Sequence, residues 1–307
     1  MSLHPEVEAI LAAMSEAMPA VDFEQLNAAA LRASMDMPAP ENSEPVFSVE
    51  NRSIEGPEGT ALPLRIYRSS DDGDSPLVVF FHGGGFVIGN LETHDGLCRS
   101  LCNEAGATVV AVDYRLAPEH KYPAAPLDCY AATCWAAAHA SELGANAGKL
   151  IVAGDSAGGC LAAVVSQMAR DKSGPAIAGQ LLIYPVTDGV TDTASYKRNG
   201  EGYFLTSGMM QWFLEQYIEN TEQINESMAS PLRHKKLADL PKAMILTAEY
   251  DPLLDDGASY AKALTEAGVD TDYRCYDGMI HGFVSFPFGL TTAKDAISDM
   301  AEFIRSV

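Results

Sequence analysis

Leu150-Ile151-Val152-Ala153-Gly154-Asp155-Ser156-Ala157-Gly158-Gly159 changes character at its middle, and that change organises the chain around it. Four apolar residues in a row, without alternation, read as a strand buried on both faces. The apolar run Cys160 to Val165 reads as the start of a helix. Gly154-Asp155-Ser156-Ala157-Gly158 between them fits G-x-S-x-G, the sharp strand-to-helix turn that projects a nucleophilic serine. The glycines have a physical task there. The serine must take a strained backbone conformation, and only tiny residues two positions to either side let strand and helix approach closely. The pattern alone is weak, and an ordinary glycine-rich turn with an incidental serine is its bland alternative. Strand and helix on either side favour Ser156 as a nucleophile.

Outward from this turn, apolar runs of strand length recur: Leu77 to Phe81, Thr108 to Val112, Gln180 to Tyr184, Ala243 to Thr247 and the less apolar Thr271 to Tyr276. Helix-like stretches separate most of them. This predicts an α/β architecture, a mostly parallel central sheet with helices on both faces. Pro45 to Val49 and Leu62 to Tyr67 alternate in part, as opening antiparallel strands do. Pro5 to Met35 carries apolar residues at helical spacing until Met37-Pro38-Ala39-Pro40 breaks it. One interval is too long: about sixty residues separate the strands near Ile183 and Ile245, where a crossover needs roughly a dozen. Met209, Met210, Trp212, Phe213, Tyr217 and Ile218 inside it suit a helix laid over a site, although core packing fits each equally well. The expected division is a cap drawn from residues 1–45 and 188–228 on a core made of 46–187 and 229–307.

His82-Gly83-Gly84-Gly85-Phe86 directly follows the strand Leu77 to Phe81. Acyl transfer builds negative charge on a carbonyl oxygen, and a glycine run at a strand end can aim free N–H groups at it. The N–H of Ala157, at a helix start, adds a further donor. A phosphate loop is the competing reading, but neither a G-K-[ST] ending nor a G-x-G-x-x-G frame is present. Seven histidines could supply a base. The chain order serine, acid, histidine selects His281, which follows the last strand, and Asp251, which follows Ala243 to Thr247 through Ala248-Glu249-Tyr250. Both then reach the carboxyl edge of the sheet, where open α/β sheets place their sites. Asp255 and Asp256 are rival acids, better suited to the first turn of the next helix. His139 and His234 read as structural or solvated.

Taken together, His82 to Phe86, Asp113-Tyr114-Arg115-Leu116-Ala117-Pro118-Glu119, Gly154 to Gly159, Asp251-Pro252-Leu253 and His281-Gly282-Phe283 resemble the hormone-sensitive-lipase family of α/β-hydrolases, also called bacterial family IV esterases. The resemblance covers Leu77 to Phe283. It implies the α/β-hydrolase fold with a helical cap, a triad of Ser156, Asp251 and His281, and oxyanion N–H groups from Gly83, Gly84 and Ala157. It further implies hydrolysis of carboxylic esters with short to medium acyl chains, without metal or organic cofactor. Two departures are visible: Cys160 stands where an asparagine is frequent, and Leu254 where an arginine is common. The Asp113 to Glu119 stretch offers no catalytic group. It reads as a brace for the site, with Arg115 paired to a carboxylate. Amide or formamide hydrolysis, or acyl transfer, would run on the same triad. A non-catalytic receptor of this family type would lack His281.

Composition narrows the partners. With 42 acidic against 20 basic residues and a net charge of -22, nucleic acid and anionic membranes are poor partners. The expected partner is a small-molecule ester, and a homodimer stays open. The six cysteines stand at no metal-ligand spacing and read as reduced, buried thiols. Glu6, Glu8 and Glu16 replace the basic region of a signal peptide, and no apolar run reaches the roughly 18 residues of a membrane span, so the expectation is cytoplasmic.

Overall fold

The chain is described here from a computed structural model covering residues 2–17, 26–35, 43–71, 73–285 and 290–307. Its centre is an eight-stranded sheet in the order β1-β2-β4-β3-β5-β6-β7-β8. The strands are β1 (Ser48–Glu55), β2 (Ala61–Arg68), β3 (Ser75–Phe81), β4 (Thr108–Val112), β5 (Ala145–Asp155), β6 (Gly179–Ile183), β7 (Lys242–Tyr250) and β8 (Thr271–Ile280). β1 and β2 are antiparallel, β2 runs antiparallel to β4, and the remaining neighbours are parallel. β4 and β6 are buried along their whole length, which is why their sequences show no alternation.

Because successive side chains on a strand point to opposite faces, the sheet divides the core into two layers. Leu77, Val79 and Phe81 of β3 join one layer with α4 (Ala124–Ala138), α5 (Ala157–Asp171) and α8 (Leu254–Glu266). Val78 and Phe80 join the other with α3 (Asp95–Ala105) and α9 (Thr291–Arg305). The oversized interval between β6 and β7 holds α6 (Ala194–Asn199) and α7 (Ser207–Tyr217). Each begins at a threonine whose hydroxyl accepts a backbone N–H, Thr193 from Tyr196 and Thr206 from Met209.

The helical reading of Pro5 to Met35 resolves into α1 (Pro5–Ala17) and α2 (Ala28–Met35), while the expected break at Met37 to Pro40 lies outside the described residues. The two helices part company. Val7 of α1 packs into the α3/α9 layer, and the N–H of His4, just before α1, donates to Gly278 O. Ala28 of α2 packs into the opposite layer. The first strand needs correction, since it spans Ser48–Glu55 and not Pro45 to Val49. It is an edge strand with Ile54 its one buried residue, so almost no apolar pattern marks it. The thiols need a partial correction too: all six cysteines are free, but Cys134 is only partly buried and Cys275 is exposed. Among the described residues, no helix is long and apolar enough to cross a membrane.

Candidate active site

Ser156 occupies the turn between β5 and α5 with φ 55° and ψ -116°, a strained backbone for any residue but glycine. Its N–H donates to Ile183 O at 2.8 Å, and its carbonyl accepts from Val186 at 3.2 Å, so the turn is pinned to the end of β6. The glycine requirement is literal. A Cβ on Gly154 would overlap the carbonyl of Gly158, and one on Gly158 would overlap the carbonyl of Phe81.

His281 lies just beyond the end of β8, with Nε2 at 2.9 Å from Ser156 Oγ and Nδ1 at 2.7 Å from Asp251 Oδ2. A carboxylate at Nδ1 requires N–H there, which leaves Nε2 as the acceptor for the serine proton. Asp251 is fully buried, and its other oxygen accepts the N–H of Leu253 at 2.8 Å. Asn199 of α6 donates to the carbonyls of Glu249 and Asp251, so the inserted segment grips the strand end that carries the acid. The rival acids are engaged elsewhere: Asp255 accepts from Ser195 N–H, and Asp256 accepts from the N–H groups of Thr187 and Asp188. Both sit in the first turn of α8. Burial pushes the Asp256 carboxyl up to about 8. His139 bonds the Trp135 carbonyl within its own helix turn, and His234 pairs with exposed Asp171.

One part of the expected oxyanion set is not available. The N–H of Gly83 donates to Asp155 Oδ1 at 2.8 Å, at an approach so close that a Cβ on Gly83 would overlap the carboxylate. Past Gly83 the backbone turns through left-handed conformations, φ 116° at Gly84 and 59° at Gly85. Among the described residues, the N–H groups of Gly84, Gly85 and Ala157 have no hydrogen-bond acceptor. The free donors of the glycine run therefore lie one residue later than expected, because Gly83 is consumed in anchoring the turn.

The brace expected of Asp113 to Glu119 is present. Arg115 makes a bidentate pair with buried Asp128, Nε to Oδ2 and Nη2 to Oδ1 both at 2.9 Å. Tyr114 stacks on His82 and donates its hydroxyl to the His82 carbonyl at 2.7 Å. Burial pushes the His82 imidazole down to about 3, which keeps it neutral and out of acid–base work. Arg32 of α2 donates to the carbonyls of Val87 at 2.6 Å and Ala117 at 2.5 Å, joining the N-terminal segment to the same loop.

Ser156 and His281 open on a cavity of about 240 Å³ that Gly84, Gly85, Met209, Met210 and Phe213 help to line. Of the aromatic residues expected in α7, Phe213 faces this cavity, its ring lying where a Cβ on Gly85 would go. Trp212 is buried beside it, and Tyr217 stacks on Phe86 at 3.9 Å between ring centres. Ile218 is buried at the end of the helix. Among the described residues, no group of three or more His, Cys, Asp or Glu side chains could hold a metal ion.

Residues 78–285 match the family model described as the alpha/beta hydrolase fold. The chain belongs to the α/β-hydrolases. Its relatives are of the hormone-sensitive-lipase type that the motifs imply. This α/β-hydrolase is 47% identical over 243 residues to the carboxylic ester hydrolase LipN of Mycobacterium tuberculosis, a match covering 77% of this chain and 64% of LipN. It is 38% identical over 301 residues to the carboxylesterase NlhH of the same species, covering 95% of this chain and 93% of NlhH. Among solved structures, a hyperthermophilic esterase from the archaeon Pyrobaculum calidifontis superposes with a TM-score of 0.93 at 40% identity, covering 100% of this chain and 99% of that one.

Proposed function

We propose that this α/β-hydrolase is a serine carboxylesterase in which Ser156, His281 and Asp251 form the triad. The observation that carries the reading is the unbroken chain Ser156 Oγ to His281 Nε2 at 2.9 Å and His281 Nδ1 to Asp251 Oδ2 at 2.7 Å, opening on a largely apolar cavity. Neutral His281 takes the serine proton as Oγ attacks the ester carbonyl. The tetrahedral oxyanion is received by Gly84, Gly85 and Ala157 N–H groups, His281 returns the proton to the leaving alkoxide, and water repeats the cycle on the acyl-enzyme. The names of LipN and NlhH support an ester as substrate. A cavity of about 240 Å³ suits short to medium acyl chains. The cap reading draws its support from α7, whose Phe213 closes the cavity, and from α2, whose Arg32 ties it to the oxyanion loop. A receptor reading has no support, since the base is present and in line.

Ser156→Ala removes the nucleophile without adding bulk. Turnover of p-nitrophenyl butyrate is expected to fall by about a millionfold in a variant that melts like the parent, as in other triads. Parental turnover in the purified variant contradicts the assignment.

A further inference from the structure

Beside the triad lies a second imidazole–carboxylate pair to which the mechanism gives no role. Asp155 immediately precedes Ser156 at the last position of β5, and His94 borders the same cavity. Their side chains are 7% and 11% exposed. His94 Nε2 stands 3.1 Å from Asp155 Oδ1 and 3.4 Å from Oδ2, while Nδ1 lies 2.9 Å from Thr93 Oγ1. The ring is thus held at both nitrogens and donates its Nε2–H to the carboxylate. The same Oδ1 accepts the Gly83 N–H. Gly84 and Gly85 follow with no side chain of their own to anchor them, so the direction of their N–H groups depends on where the Gly83 peptide is held. A buried carboxylate stripped of its partner is strongly disfavoured and relaxes by protonation or movement. Burial by itself would raise the Asp155 carboxyl, yet it is held below the usual range by His94, with His82 and the Gly83 N–H adding to the effect.

We propose that His94 is a positioning residue for ester hydrolysis: through Asp155 it fixes the Gly83 peptide and thereby sets the Gly84-Gly85 donors against the developing oxyanion. The inference rests on Ser156 being the nucleophile, and the pair makes no hydrogen bond to Ser156 Oγ or His281 among the described residues. It acts on charge that exists only in the transition state, so its loss moves kcat more than KM.

The test compares His94→Ala and His94→Gln in the full chain by p-nitrophenyl butyrate kinetics and by affinity for an alkyl trifluoromethyl ketone, whose serine adduct carries an oxyanion. Misaligning donors costs less than deleting one, so His94→Ala is expected to lower kcat by about 10- to 100-fold with KM within about twofold, and to weaken the ketone by the same factor. His94→Gln, which keeps an N–H donor, is expected to regain much of both. Parental kcat in His94→Ala, a loss confined to KM, or an unchanged ketone affinity overturns the proposal. Should His94→Ala fail to fold, His94→Asn, too short to reach Asp155, carries the same expectations. Ser156→Ala is run alongside. If it stays active the nucleophile is wrong, whereas an inactive Ser156→Ala beside an unimpaired His94→Ala overturns the positioning role alone.

Discussion

Ser156 holds its Oγ toward His281 from a backbone conformation that glycine alone adopts freely, and the turn tolerates it because the surrounding chain fixes both of its ends. The three residues that the structure brings into one hydrogen-bonded line were legible in sequence for a physical reason: a buried strand, a glycine-framed turn and a fixed chain order are each written in residue type. The free N–H groups of the glycine run were legible only to within one residue. Which glycine spends its N–H on Asp155 depends on the backbone rotation at Gly84, and no composition reports a dihedral angle. Asp155 and His94 were missed for a related reason, since their pairing joins the end of β5 to the residue before α3. Sequence also left Asp251 and Asp255 four residues apart as rivals. Here the structure makes a sharp prediction: Asp251→Asn, which leaves His281 in the wrong tautomer, is expected to reduce kcat by about ten-thousandfold. Asp255→Asn, whose side chain accepts the Ser195 N–H and lies outside the His281 line, is expected to stay within about tenfold of the parent. Comparable losses in both, measured on the same ester, would reopen the assignment.

At the scale of elements, the strands were legible in proportion to their burial. β4, most of β3 and β6, and the Leu150 to Ala153 half of β5 are buried apolar runs, whereas β1 is a solvent-facing edge and left almost no trace. The length of the insertion between β6 and β7 was evident, but which face of α7 meets the cavity was not, because Trp212 and Phe213 are adjacent and equally apolar. The joint between the exit of β6 and the start of α8 is made by Asp256, which accepts the N–H groups of Thr187 and Asp188 while its other oxygen is buried without a partner among the described residues. Burial raises this carboxyl to about 8, above its unfolded value of about 3.9. The folded state then binds the proton more tightly than the unfolded state. The stability it contributes is complete below about pH 4 and is lost as pH rises toward about 8. Asp256→Asn mimics the neutral acid and removes that loss. Its melting temperature is expected to match the parent near pH 4.5 and to exceed it by about 5 °C or more at pH 9. A gap that does not widen with pH would mean that the carboxyl is already ionised in the folded protein.

Across the whole molecule, the proposed reacting groups come from distant points of the chain to one edge of the sheet. The glycine turn follows β3, Ser156 follows β5, Asp251 follows β7 and His281 follows β8. Parallel strands deliver their carboxyl ends to a common side, so the fold brings Ser156 and His281, 125 positions apart in the chain, within hydrogen-bonding distance. The net charge of -22 lies outside this chemistry and sets a negative long-range field around the molecule. The central claim is that Ser156 is acylated during turnover, and a phosphonate ester that traps that attack reads it directly. After brief exposure of the native enzyme to an alkyl fluorophosphonate, intact-mass and peptide analysis is expected to show one adduct per chain, on Ser156, with p-nitrophenyl butyrate hydrolysis lost in parallel. An adduct on another residue, or full activity in the labelled protein, would contradict the account.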